Sequence, residues 1–285
     1  MSPGSLDIVQ AFREGLKEQG YVQGQNVAIE FRFAEGQTGR LPALASNLIR
    51  REVNVFVATG GTGSVVKAKP LVPKTIPIVF AMGGDPVKLG VVASLAHPGD
   101  NITGVSFLIN ELAAKEIELL HELIPEAAVI GFLVNPDDPN AESGIKQTQA
   151  AADGLGHKLV VAKASTESEI DLALGALAQQ QITALFVNAE ILFTVTRAKS
   201  HAVFTVSSVE GFAADGGLIS YGASIYDANR QLGAYTGRVL KGTRPGDLPV
   251  VQPTKLRLAI NLKTAKALSL TIPQSILLRA DEVIE

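Results

Sequence analysis

Four times along this chain of 285 residues, an apolar run of strand length stops at a cluster of small polar residues. The runs are Val53 to Ala58 before Thr59-Gly60-Gly61-Thr62, Ile76 to Phe80 before Gly83-Gly84-Asp85-Pro86, Val129 to Val134 before Asn135-Pro136-Asp137-Asp138, and Ala184 to Val187 before Asn188-Ala189-Glu190. Continuous apolar runs of this length read as strands buried on both faces. Three of them lead into helical spacing, the pattern of βα units feeding a parallel sheet. Ligands of open parallel sheets bind beyond the carboxyl ends of the strands, where helix starts offer N–H groups without an intrahelical partner. The polar clusters are therefore where function is expected.

A chain of this length has room for two domains, each with its own core. With 46% hydrophobic and 19% charged residues, it is not a disordered chain. The formal net charge of -3, with no basic cluster, makes nucleic acid an unexpected partner. The absence of cysteine excludes disulfides, zinc-thiolate sites, iron–sulfur clusters and thiol nucleophiles. His97, His121, His157 and His201 have no close metal-ligand spacing, so a histidine metal site would need partners from far along the chain. No apolar run reaches the ~18 residues that a membrane crossing needs. Met1-Ser2-Pro3-Gly4-Ser5 leads directly into an amphipathic pattern and does not read as a signal peptide.

Helices are expected with Ser5 as N-cap and Leu6, Val9, Phe12 and Leu16 inward, at Leu41 to Ile49, and after Thr62 as far as Pro70. A further helix is expected from Pro86, with Leu89, Val92 and Leu95 inward. The turn residues His97 to Asn101 precede a strand at Ile102 to Leu108, where the first passage between domains is placed. A second βα series follows. Its helices carry Ala113 to Ile124, the segment after Asp138-Pro139, and Ile170 to Leu177, the last with capping-box spacing at Thr166 and Glu169. Further strands are expected at Lys158 to Ala162, Val203 to Val206, and Leu218 to Gly222. A helix with Ala228, Leu232, Tyr235 and Val239, an alternating strand at Leu256 to Ile260 and a short helix at Lys263 to Leu268 complete the chain.

The ordered segments GYVQGQNVAIEFRFAEG, LPALASNLIR, VFVATGGTG, IPIVFAMGGDPVKLGVVASLAHPGDNITGVSF, VNPDDPNAE, GGLISYG and QPTKLRLAINLKTAKALSL strongly resemble the ABC transporter substrate-binding protein family whose characterised members take up tryptophan and tyrosine. The similarity spans nearly the whole chain. It implies an α/β fold like that of type I periplasmic binding proteins: two Rossmann-like lobes with helix-flanked parallel sheets, three crossovers, and a ligand in the cleft between lobes. The lobes are expected at residues 1–101 with 224–250, and at 102–223 with 251–285. Family members also carry an exported leader and a first strand before the SPGS-like turn, where this chain begins. After Glu190 the family has a longer helix than TVTRAKSHA provides, so that segment is near the minimum for a parallel crossover.

Each candidate site residue has two readings. Thr59, Gly60, Gly61 and Thr62 could hold a ligand carboxylate through N–H and hydroxyl groups, or form an ordinary βα turn capped by Thr62. Asp85 could pair with an ammonium group or cap the residues after Pro86, and one carboxylate can do both; Gly84 beside it could line the ligand site or set backbone geometry. Asn135 and Asn140 could donate to a carboxylate and accept from an amine, or serve the turn between them. Tyr221 could stack on an apolar ligand or fill the core. Glu190 stands where the family carries a loop aspartate.

Under the leading reading the chain is a monomeric binding protein, which the resemblance places in the periplasm or in an extracytoplasmic, membrane-associated position. It captures a small solute, an amino acid or related carboxylate, by hinge closure and presents it to an ABC permease, with no catalytic group or cofactor required. An enzyme on the same architecture is one rival, but TGGTG lacks the GxGxxG spacing of a dinucleotide site. Two-lobed amino-acid racemases of this general type use a cysteine pair that is absent here. A ligand-sensing domain of a regulator or receptor is the other rival, and would be fused to a further module.

Overall fold

Ile78, Phe80 and Met82 alternate along the chain with Val79 and Ala81, and all five are buried. The strand they form, β2 (Ile78–Met82), therefore needs apolar cover on both faces. It lies between β1 (Phe56–Ala58) and β3 (Ile102–Ser106) in a three-stranded parallel sheet with Phe56 opposite Ile78 and Ile78 opposite Ile102. On one face, Ile78, Phe80 and Met82 pack with Ala45 of α2 (Leu41–Ile49) and Val65 of α3 (Thr62–Ala68). On the other, Val79 and Ala81 pack with Phe12 and Leu16 of α1 (Pro3–Glu18) and with Leu232, Tyr235 and Val239 of a late helix, Ile225–Leu240.

The computed structural model describes residues 3–35, 37–125, 129–187 and 204–285. Contacts divide the chain into one unit of Met1–Leu108 with Ser224–Thr254 and another of Ile109–Ala223 with Lys255–Glu285, so the chain passes between units three times.

Within the first unit, α1 and Ile225–Leu240 meet through glycine. A Cβ on Gly15 would run into the Arg230 carbonyl, and one on Gly233 into the Phe12 carbonyl. Backbone cannot swing aside as a side-chain end can, so alanine at either position must push the helices apart. We expect Gly15→Ala and Gly233→Ala each to lose about 1–3 kcal/mol in urea denaturation. An unchanged midpoint would show that the two helices do not meet through these glycines.

Three expectations need correction here. Residues 102–108 and 251–254, assigned from sequence to the second lobe, fall in the first unit. All five residues of β3 pair in parallel with β2, and Val251 is bonded to the same strand: its N–H donates to the Gly104 carbonyl and its carbonyl accepts from Ser106 N–H, both at 2.9 Å. An isolated apolar run does not declare which sheet it joins. The helix expected from Pro86 is a single turn, in which Leu89 N–H donates to the Asp85 carbonyl. Gly90 then turns the chain at φ +65. Val91 and Val92 are buried without continuing the helix. α1 starts at Pro3, which places Ser5 inside the helix.

The second unit holds a seven-stranded sheet in the order β10-β9-β8-β7-β6-β4-β5. In chain order these are β4 (Val129–Val134), β5 (Lys158–Lys163), β6 (Ala184–Val187), β7 (Phe204–Ser207), β8 (Ile219–Ala223), β9 (Leu256–Asn261) and β10 (Glu282–Ile284). The strands from β5 to β8 run parallel, whereas β9 is antiparallel to β8 and parallel to β10. Alternation again sorts the faces. Ile130, Phe132, Val134 and Phe186 pack with Ile117 and Leu120 of α4 (Ala113–Leu123) and Ala152 of α5 (Ala141–Gly154). Leu133, Leu185 and Val187 pack with Ile170, Leu174 and Leu177 of α6 (Glu167–Gln179). The Thr166 cap is formed: its hydroxyl accepts the Glu169 N–H at 3.3 Å, and the Glu169 carboxylate accepts from Ser165 N–H. No described helix is long and apolar enough to cross a membrane.

Candidate functional site

In the first unit, hydroxyl groups stitch the carboxyl ends of all three strands together. After β1 the chain turns through Gly60 and Gly61 at φ +96 and +100, values that side chains disfavour, and leaves Thr59 and Gly60 exposed. Thr62 follows, buried, with its hydroxyl accepting the Gly84 N–H at 3.0 Å. The Gly84 carbonyl in turn accepts from the hydroxyl of Ser106, the fully buried last residue of β3, at 2.9 Å. Ser64 Oγ donates to the Gly60 carbonyl and holds the first turn.

Asp85 caps the turn that follows it. Its Oδ1 accepts N–H bonds from Val87 at 2.9 Å and Lys88 at 3.1 Å, while Oδ2 lies 3.3 Å from Lys88 Nζ. Burial alone would raise its pKa. The N–H groups of Lys88 and Val87, together with the Lys88 ammonium, outweigh burial and hold the carboxyl below the usual range. It is therefore an ionised carboxylate with its side chain 26% exposed. The Lys88 side chain is 67% exposed, so this ion pair contributes little.

In the second unit, the residues after β4 form a compact polar turn. Asn135 Oδ1 accepts from Asp137 N–H at 2.9 Å, the Asn135 carbonyl accepts from Asp138 N–H, and Asp138 Oδ1 accepts from Asn140 N–H at 3.0 Å. Asn110 Nδ2 donates to the Asn140 carbonyl at 3.4 Å. Asn135 and Asn140 are both buried. Burial also raises the Asp138 pKa, against the hydrogen bonds from Asn140 that lower it. Tyr221, opposite Leu258 in the β8–β9 pair, is partly buried against the large apolar cluster. Glu190 lies outside the described residues.

Sequence reasoning missed Ser106, which ends β3, and the pair Ser207-Ser208 at the end of β7, all buried. A signal was available for the second of these: TVSS closes a short run on small polar residues, the feature that marked the four clusters, whereas Phe107 and Leu108 carry the apolar run past Ser106. The structure also joins His121 and His157, 36 residues apart, with Nδ1 of one 3.1 Å from Nε2 of the other. That bond requires at least one neutral ring. Among the described residues, no group of three or more His, Cys, Asp or Glu side chains could hold a metal ion.

Comparison with known proteins gives consistent relatives. The family model described as ABC transporter substrate binding protein matches residues 1–284. A tyrosine-binding protein of Clostridioides difficile strain R20291 is 27% identical over 275 residues, covering 93% of this chain and 78% of the relative. The crystal structure of a conserved domain protein from Vibrio cholerae O1 biovar El Tor superposes with a TM-score of 0.91 at 28% identity, over 99% of this chain and 96% of that one. A structure from Streptococcus pneumoniae in complex with L-Trp gives 0.88 at 26% identity, over 100% and 97%. The architecture is that of type I periplasmic binding proteins.

Proposed function

The chain belongs to the ABC transporter substrate-binding protein family, and from that premise we propose that it captures a zwitterionic amino acid with an aromatic side chain and presents it to a membrane permease. One observation carries the ligand class. At the carboxyl ends of two adjacent parallel strands, the exposed residues Thr59 and Gly60 are tied through Thr62 and Gly84 to an ionised Asp85. Main-chain N–H groups suit a carboxylate and Asp85 suits an ammonium, so the two loops complement the two charges of an amino acid. The relatives that bind tyrosine and L-Trp support an aromatic side chain.

In this proposal Asn135, Asn140 and Tyr221 of the second unit complete the site when the units close on the ligand. Closure is driven by contacts that only the closed state makes. The protein works as a monomer outside the cytoplasmic membrane. Binding and release need no nucleophile, base or cofactor.

A thermal-shift screen of the common amino acids tests the ligand class. A ligand at about a hundred times its Kd stabilises the folded state by about 2.7 kcal/mol, a shift of several degrees in Tm. We expect L-tryptophan or L-tyrosine to give the largest rise. Stabilisation by sugars or nucleosides, with none from any amino acid, would reject the proposal.

A further inference from the structure

We propose that Ser106 and Thr62 are positioning residues, a buried clamp that holds Gly84 and Asp85 in the conformation that meets the ligand ammonium; this inference rests on the amino-acid reading above. Gly83 and Gly84 precede Asp85, and consecutive glycines are the link in a chain that loses most conformational freedom on ordering. Something outside the loop must fix it. Thr62 accepts the Gly84 N–H and Ser106 donates to the Gly84 carbonyl, so the residue before Asp85 is held on both its polar groups by side chains from two different segments. Thr62 is 4% exposed and Ser106 0%, so both bonds are shielded from competing water.

The clamp also reaches the connections between units. Ser106 N–H donates to the Val251 carbonyl, three residues before the chain leaves the unit at Thr254, and Ser106 itself lies two residues before the passage at Leu108. Leu108 has φ +44, a value uncommon for a non-glycine residue. Ser106 thus bonds at once to the ligand loop and to the segment leading into one connection, and it leads directly into another. Its hydroxyl reaches the residue before Asp85, and its N–H reaches Val251.

The test uses the full chain with Ser106→Ala, Thr62→Val and Thr62→Ser. Valine keeps the shape of threonine and removes the hydroxyl, whereas serine restores it. Amide hydrogen exchange at Gly84, Val87 and Lys88 is measured without ligand, and affinity for L-tryptophan and L-tyrosine is measured by calorimetry. In Ser106→Ala and Thr62→Val we expect faster exchange at those amides, unchanged exchange in β4 and β6, and affinity lowered about three- to tenfold. Thr62→Ser should retain wild-type behaviour in both measurements. If Ser106→Ala does not fold, Thr62→Val carries the test. Unchanged exchange at Gly84, Val87 and Lys88 overturns the clamp, and faster exchange with undiminished affinity overturns its role in binding. If the wild-type protein binds neither amino acid, the amino-acid reading fails, while the exchange measurement still decides whether the clamp exists.

Discussion

Replacing Glu116 by methionine is expected to stabilise the protein by about 1–4 kcal/mol at neutral pH. Glu116 faces inward from α4, is 1% exposed, and its Oε1 has no hydrogen-bond partner. Thr148 of α5, the helix packed beside α4, also buries a hydroxyl oxygen without a partner. A carboxylate in such a place must lose its hydration without compensation, and burial raises its pKa well above the usual carboxylate range. Methionine is a good helix former of similar length and removes both the charge and the unpartnered Oε1.

The pH dependence has a definite sign. In the unfolded chain Glu116 ionises in the usual range, whereas in the folded protein it holds its proton to higher pH. Between those two pKa values the folded state binds the extra proton, so wild-type stability falls as pH rises, by up to about 1.4 kcal/mol per pH unit from this one group. Below the usual carboxylate range the effect vanishes, because both states are protonated. Glu116→Gln, the uncharged isostere, should therefore gain on the wild type as pH rises from about 4. Urea denaturation of the wild type and both variants across that range is the check. Parallel wild-type and Glu116→Gln curves would show that Glu116 is not desolvated.

Much of this molecule is legible in its sequence, because burial on both strand faces leaves a continuous apolar run and a polar stop. β1, β2, β4 and β6 were all found that way, each within two or three residues of its observed bounds. What the sequence conceals is non-local. Ile102 to Ser106 looks the same whether it opens one sheet or closes another, and only its pairing with β2 decides. Leu256 to Asn261 carries no mark of being antiparallel to β8. The Pro86 helix was overestimated because Leu89, Val92 and Leu95 have helical spacing, yet Gly90 breaks the chain after one turn. At the site, sequence picked out Asp85 and the Thr59 to Thr62 turn through their residue types. It could not assign Thr62 to Gly84, since that bond joins residues 22 apart. Ser106 was passed over because a single serine ending a strand is as common in a core as in a site. Glu116 lies between Lys115 and Glu118, which form an exposed ion pair, yet it turns inward, and the run of charged residue types does not reveal that.

The central claim, that the site recognises both charges of an amino acid, is tested most directly by calorimetry with matched pairs. L-tryptophan is compared with 3-(indol-3-yl)propanoate, and L-tyrosine with 3-(4-hydroxyphenyl)propanoate, each pair differing only in the ammonium group. A charge-assisted hydrogen bond contributes about 1.5–3 kcal/mol, so the amino acid should bind roughly ten- to a hundredfold more tightly than its deaminated partner. Asp85→Asn retains a side-chain oxygen that can accept from Val87 and Lys88, so the loop keeps its cap and loses only the charge. In that variant the gap within each pair should narrow by most of this factor. Equal affinities within each pair in the wild type, unchanged by Asp85→Asn, would contradict the claim and leave Asp85 as a cap alone.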